Sequence, residues 1–448
     1  MNNSCTTCDA SGGLRLRRLR RVLAPVIVTL CLVGCERREP DIDPASVERV
    51  VTTLSSDDML GRAAFTPGIE KAADFISGEF ASIGLKALDG VDDHLQRFMV
   101  HRLEVESRKV ILNGVEIPSE RSFAWTEAPS AHWTTGDSVE VVVIGPAEAP
   151  GRRIYEISTS DRDALVLMSI DHEAFFRRWA ADWSVPVFSL DPPSGATLVC
   201  VLTDEVRVTT YDVRVTAPVE ELPLANVVGV IPGRRDDEIV LFGGHYDGYG
   251  ILDPVDGDSI ANGANDCASG TTGMIELARY FKAKGRPERT LIFAAFTAHE
   301  RMPYLGAEYL ARQLDPEEIV AMFSIANIGR VYPEGPNTAI ITGFERSDFG
   351  TILQRAVNGT PYAFHPDPYE GQYLFRRSDN VPFARQGVPA HGIGTAGAQE
   401  DRHTVSDEVE TLDLSNMTNV IRAIALGAAP IISGEATPTR IDPPLRPE

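Results

Sequence analysis

The chain has 448 residues, with 42 Lys and Arg against 64 Asp and Glu, for a formal charge of −22. This acidic balance, with a pI of 4.9, excludes a nucleic-acid binder, which needs a basic face to replace the counterions of phosphate. A hydrophobic content of 43% and a charged content of 24% exclude wholesale disorder, and the length allows roughly two or three domains.

The first predicted segment is an address. Arg15, Arg17, Arg18, Arg20 and Arg21 make a basic stretch, and residues 22–33 follow as an apolar run. That run is shorter than the ~20 residues a membrane-spanning helix needs. It ends in Leu32-Val33-Gly34-Cys35, which resembles the lipobox of bacterial lipoproteins. The resemblance implies cleavage before Cys35 and a lipid on its thiol. Residues 1–34 are therefore expected to be a lipoprotein signal peptide and 35–44 a linker. The body is expected to be lipid-anchored to a membrane of the bacterial envelope, at the outer membrane or facing the periplasm. Cys5, Cys8 and Cys31 leave with the signal, so Cys200 and Cys267 are too few for a disulfide framework.

A helix is predicted where Ile69, Ala72, Ala73, Ile76, Phe80 and Ile83 recur at helical spacing, stopping at Gly84. Residues 101–220 read as short β-rich runs with many turns, at 138–144, 164–168 and 206–215. Beyond Leu224, apolar strands at 226–231, 239–242, 290–296, 322–328, 339–342 and 388–393 alternate with helices at 271–282, 306–313, 349–357 and 414–426. Apolar strands alternating with amphipathic helices imply a mostly parallel sheet covered on both faces. From Gly434 the chain is Pro-rich and reads as a loose tail.

In open α/β sheets, sites collect at the carboxyl ends of strands. Four such ends carry metal-capable side chains: His245 with Asp247, the Gly-punctuated 262–270 loop with Asp266, His299-Glu300, and Asp401-Arg402-His403. Residues two apart on a strand share a face, which suits a ligand His245 held by Asp247. His245, Asp266, Glu300 and His403 form a chemically complete zinc set of two imidazoles and two carboxylates. Taken singly, each residue also fits a cap or a hydrogen-bonded loop position. Other motifs fail: Pro303 stands where a helical H-E-x-x-H needs its second His, and residues 392–397 match G-x-G-x-x-G but lead into no helical pattern. There is no G-x-S-x-G elbow, and Asp253, Asp256 and Asp258 lack EF-hand spacing.

His245-Tyr246-Asp247, residues 262–270, Thr297-Ala298-His299-Glu300, Ser378-Asp379-Asn380 with Val381-Pro382-Phe383, Gly387-Val388-Pro389-Ala390 and His403-Thr404 occur in order. They resemble the motifs of metallopeptidase family 28, the bacterial zinc aminopeptidases related to glutaminyl cyclases, and residues 53–98 resemble its amino-terminal part. The resemblance implies an α/β three-layer sandwich with a mixed, mainly parallel sheet. The catalytic domain would comprise 45–100 and 221–433, with a small β-rich insert at 101–220, similar to a protease-associated module through 185–189, and a flexible tail at 434–448. It also implies two zinc ions, one on His245, Asp266 and Glu300 and a second on Asp266 and His403, with Asp247 orienting His245 and a cis bond at Asp266–Cys267.

Two positions depart from the family pattern. His299 stands where the family has a Glu as general base, and Ala326 where it has a further Asp ligand. These departures favour one zinc over two, held by His245, Asp266, Glu300 and His403 together, with His299 as base. The related glutaminyl cyclases imply a single-zinc site on the positions of Asp266, Glu300 and His403. A neutral imidazole accepts a proton near pH 7. The expected function is zinc-dependent hydrolysis at peptide amino termini, on a peptide or small amino-acid-derived substrate. Two alternatives remain: a catalytically degenerate homologue acting as an envelope binding or scaffold lipoprotein, and a glutaminyl-cyclase-like enzyme.

Overall fold

The computed structural model describes residues 39–442, apart from 161, 206, 303, 396–398 and 400. The predicted signal peptide, Cys35 and the last six residues lie outside the described residues. Nine strands build the principal sheet: β1 (Leu95–Leu103), β2 (Val187–Ser189), β3 (Val219–Ile231), β4 (Arg235–His245), β5 (Arg289–Phe296), β6 (Ile319–Ile325), β7 (Thr338–Ile341), β8 (Ala363–Pro366) and β9 (Ala390–Gly394). Their spatial order is β8-β7-β9-β6-β4-β5-β3-β1-β2. The centre, β9-β6-β4-β5, is parallel throughout. β7 and β8 are also parallel to each other. The flanking pairs β9·β7, β5·β3, β3·β1 and β1·β2 are antiparallel. The sheet is thus mixed, as expected, with its parallel character concentrated at the centre.

Period-two alternation sends side chains to two cores. Val240, Phe242, Leu291, Phe293, Ala321 and Phe323 face one side. There they meet α1 (Pro44–Leu54), α2 (Pro67–Ile83), α3 (Gly270–Lys284), α4 (Phe349–Val357) and α5 (Leu414–Ile432). Ile239, Leu241, Ile292, Ala294 and Met322 face the other side, under the short helices Leu305–Ala311 and Val381–Ala384. The result is three layers. α2 starts at Thr66, whose side chain caps Gly68, with Pro67 at its first position, and it ends at Gly84, whose left-handed φ of 78° favours a glycine. No helix of the described residues is long and apolar enough to cross a membrane.

Residues 107–216 add two further four-stranded sheets. One is antiparallel, and the other pairs Ala164–Met168 in parallel with Glu140–Ile144 and Thr197–Leu202. Leu165, Leu167, Val199 and Val201 pack on the antiparallel sheet, while Val166, Met168 and Cys200 pack under two helices, Pro150–Ser158 and Glu173–Trp183. The reading of this stretch as β-rich passed over those helices, whose apolar residues are few and interrupted by charge. β2, from within the stretch, adds to the edge of the principal sheet.

Three expectations change in detail. The chain from Gly434 is docked through residue 442: Ile441 is 1% exposed and Arg289 donates to the Ala436 carbonyl at 2.7 Å. Residues 40–44 are likewise part of the body, since Ile42 is buried, Asp41 pairs with Arg422 and Asp43 caps α1. The strand expected over 322–328 ends at Ile325, and Asn327 takes a left-handed φ of 55°.

Candidate metal centre

The parallel centre of the sheet brings four carboxyl ends to one edge, where ligand sites form in such folds. His245 is the last residue of β4 and lies in register with Phe296 of β5. His299 and Glu300 follow β5, Ala326 and Asn327 follow β6, and Arg402 and His403 follow β9. Asp266 lies on the segment Ala264–Ser269, before α3, and the Asp266–Cys267 peptide is cis, as the resemblance implies.

The four expected ligands converge, but in a different partition. Asp266, Glu300 and His403 form one cluster whose donor atoms lie within 4.8 Å of one another. His403 Nε2 stands 3.2 Å from Asp266 Oδ2 and 3.5 Å from Glu300 Oε2. His245 lies across Asp266, its Nε2 3.4 Å from Oδ1, and clusters there with Asp266 and Cys267. The expectation grouping Glu300 with His245 is therefore corrected. The loops after β5 and β9 approach Asp266 from opposite sides of β4 and meet each other beyond it.

Asp247 also differs from expectation. Its carboxylate stands 3.7 Å from His245 Nδ1, beyond a hydrogen bond, and the closer partner of that nitrogen is the Asp247 carbonyl at 3.2 Å. The carboxylate instead accepts the main-chain N–H groups of His299 at 3.0 Å and Glu300 at 2.9 Å. Beyond the strand end Asp247 turns toward β5, so it holds the next pair of site residues more firmly than it holds its own neighbour.

Burial opposes ionisation of Asp266, yet the neighbouring His245 and His403 imidazoles and the Arg402 charge hold its carboxyl well below the usual range. Burial likewise opposes ionisation of Glu300, and His403 outweighs it, so its pKa is also lowered. Both groups are carboxylates at neutral pH, the form that binds a cation. Glu300 Oε1 and His403 Nε2 are buried without a hydrogen-bond partner of good geometry. Orphaned buried polar atoms are costly unless something satisfies them.

His299 is stacked on His245, with ring centroids 3.8 Å apart and planes 5° apart. Its Nδ1 lies 3.0 Å from Asp379 Oδ1. A carboxylate only accepts, so Nδ1 carries a proton, which in the neutral tautomer leaves the lone pair on Nε2. Burial works against the Asp379 carboxylate, but the His299 contact outweighs it and lowers its pKa. Asp379 lies in a motif visible in the sequence, but the spacing of that motif does not show that it would meet His299.

Four other residues were missed as site residues. Arg402 is ion-paired with Asp266. Asn327, with its amide assigned so that the nitrogen faces these acceptors, donates to Asp266 Oδ1 at 2.9 Å and to the Asn265 carbonyl at 3.1 Å. On a regular strand Asn327 would face away from the side Ala326 faces, and the left-handed turn reverses that. Asp407 accepts the main-chain N–H groups of Asn265 at 2.8 Å and Asp266 at 2.9 Å. The buried Arg62 donates to the carbonyls of Leu54, Tyr246, Asn262 and Gly263. Only the tertiary fold makes the contacts of these four residues.

Residues 226–427 match peptidase family M28. Over 92 residues the chain is 45% identical to a probable zinc metalloprotease of Leptosphaeria maculans, a match covering 20% of this chain and 21% of that relative. The chain thus spans about a fifth of that relative's length. Its fold is similar to that of an aminopeptidase from Aneurinibacillus sp. strain AM-1, with a TM-score of 0.53 and 19% identity over 91% of this chain and 97% of that one. It is also similar to a zinc aminopeptidase from Bacillus subtilis, with a TM-score of 0.54 and 16% identity over 91% of this chain and all of that one.

Proposed function

From the match of residues 226–427 to peptidase family M28 we propose that the protein is a zinc-dependent aminopeptidase-like hydrolase of peptide amino termini. The observation that carries the reading is the convergence of Asp266, Glu300 and His403 beside the His299–Asp379 pair. Two carboxylates and an imidazole, with buried unsatisfied atoms on Glu300 and His403, fit zinc. Bound there, zinc supplies Lewis acidity toward a scissile carbonyl and lowers the pKa of water. His299 Nε2 takes the proton of the attacking water and returns it to the leaving amine, while Asp379 holds Nδ1–H and so fixes the tautomer. Asp247 positions the His299 and Glu300 backbone.

The site is read as holding one ion. Ala326 brings no donor to the His245 side of Asp266, and the Asn327 amide already engages Oδ1 there. A second reading, a degenerate homologue serving as an envelope binding or scaffold protein, is favoured by Arg402, which neutralises Asp266 with a guanidinium. One experiment separates them: elemental analysis with an aminoacyl-arylamide panel, on wild type, Glu300→Ala and His299→Ala. The hydrolase reading expects one zinc per chain, chelator-sensitive turnover, weakened metal binding in Glu300→Ala, and a kcat lowered about 10²- to 10⁴-fold in His299→Ala. No zinc at saturating supply and no turnover on any substrate leaves the scaffold reading. Two tightly bound zinc ions contradict the single-ion reading.

The body is further proposed to be tethered to the bacterial envelope through a lipid on Cys35. The basic stretch, the short apolar run and the Leu32–Cys35 motif support this.

A further inference from the structure

A groove of about 560 Å³ opens between α2 and the β1–β3 pair, and it shares no lining residue with the cavity at the metal centre. Its volume falls within the roughly 300–1,000 Å³ of ligand sites. Leu95, Arg97 and Met99 share one face of β1, where Arg97 and Met99 lie opposite Ala225 and Pro223 of β3. α2 supplies Ile69 and Ala73 to the other wall, and Phe65, stacked on Phe188, adds an aromatic one. Met99 is 45% exposed, whereas Phe98 and Val100, on the opposite face of the strand, are buried. This stretch of sheet therefore has an apolar face that no element covers.

The rim carries unmet charge of one sign. Glu70 and Asp74 stand four residues apart on α2, exposed and bordering the groove. Neither has a hydrogen-bond or ion-pair partner among the described residues. Like charges at that spacing weaken a helix, so the pair does not serve α2 itself. The cations nearby are engaged elsewhere. Arg97 makes two hydrogen bonds to Asp93, at 3.1 and 2.8 Å, and Lys71 donates to the Asp58 carbonyl at 2.8 Å. Two free carboxylates over an apolar floor repel an anion and complement a ligand that joins a cation to apolar side chains.

We propose that this groove is an exosite for a peptide segment in which a basic residue is flanked by apolar ones. The basic side chain lies between Glu70 and Asp74, and its apolar neighbours lie on Ile69, Ala73, Leu95 and Met99. The floor runs from Leu95 to Met99, about 13 Å of strand. That is the length of about four extended residues, more than a single amine fills. The thioether of Met99 adapts to varied side chains. The exosite binds without cleaving, so it goes beyond the hydrolase reading and does not depend on it.

The test is calorimetric titration of the full-length protein with acetyl-Leu-Arg-Leu-Phe-amide, whose blocked amino terminus keeps it from an aminopeptidase site. The same peptide with citrulline in place of Arg is the neutral control. The expected result is saturable binding, about tenfold tighter for the Arg peptide, the scale of one charge-assisted contact. Glu70→Gln combined with Asp74→Asn removes that difference. Met99→Lys, which keeps both carboxylates and puts a cation of the chain's own into the groove, weakens the Arg peptide as well. Glu300→Ala and chelation leave binding intact. Equal affinity for the two peptides, a difference that survives the double variant, or no saturable binding overturns the inference. Binding lost on chelation or in Glu300→Ala puts the peptide at the metal centre and also overturns it. With no peptide binding, a response to phenethylammonium lost in the double variant assigns the groove to a small amine. Self-association lost in that variant assigns it to a second copy of the chain. Either outcome overturns the peptide exosite.

Discussion

His391 is an imidazole that the fold keeps neutral. It is fully buried on β9, with Nδ1 2.9 Å from the Thr342 carbonyl and Nε2 2.7 Å from Ser347 Oγ, and its ring stacks on Phe349. Burial lowers its pKa from 6.5 to about 4. The unfolded chain therefore takes up a proton below about pH 6.5 that the folded chain refuses until about pH 4, so stability falls as pH falls through that window. The loss amounts to about 3 kcal/mol for this one group. Denaturant unfolding at pH 7, 5.5 and 4.5 should show a shallower loss for His391→Gln than for wild type, and parallel profiles would sink the idea. His299, by contrast, pairs with a carboxylate rather than with neutral partners. The same side chain thus serves as packing at one strand end and as a candidate base at another.

The elements that carry the site are held by main-chain contacts as much as by side-chain pairs. Arg62 joins the end of α1, the end of β4 and the 262–263 loop through four carbonyls, with no carboxylate of the described residues in direct contact. Removing its guanidinium leaves four buried acceptors without that partner. Arg62→Met should therefore destabilise the protein by about 3–5 kcal/mol, measured by denaturant unfolding. It should also weaken zinc binding, because the 262–263 loop leads directly to Asp266. A change under about 1 kcal/mol with zinc affinity intact would show that the loop holds without the staple. The shortening of β6 to Ile325 matters in the same way, because the turn at Asn327 brings its amide to Asp266.

At the scale of the whole molecule, the body starts by residue 40 and is acidic. Its net charge does not draw it to anionic lipid, so membrane association in the proposed arrangement depends on the lipid at Cys35. Replacing Cys35 with Ser and fractionating the envelope should move the protein out of the membrane fraction. A variant retained as fully as wild type would mean that something else holds it. The sheet also sets the direction of the cleft: every proposed metal ligand except Asp266 lies on or follows a central parallel strand, and Asp266 reaches the same edge from the start of α3.

By itself the sequence determined the alternation of strands and helices, the end of α2 at Gly84 and the identities of His245, Asp266, Glu300 and His403. Each of these is written in a local period, a cap or a strand-end position, and the ordered motifs joined them into one family pattern. Only the tertiary structure decided that Glu300 sides with His403 and not with His245, that Asp379 holds His299, and that Arg402 and Asn327 share Asp266. Those contacts join loops far apart in sequence and depend on strand order and on single left-handed turns. Spacing along a chain fixes which face a residue shares with its neighbours, whereas the partner across a cleft is chosen by the packing of the whole sheet.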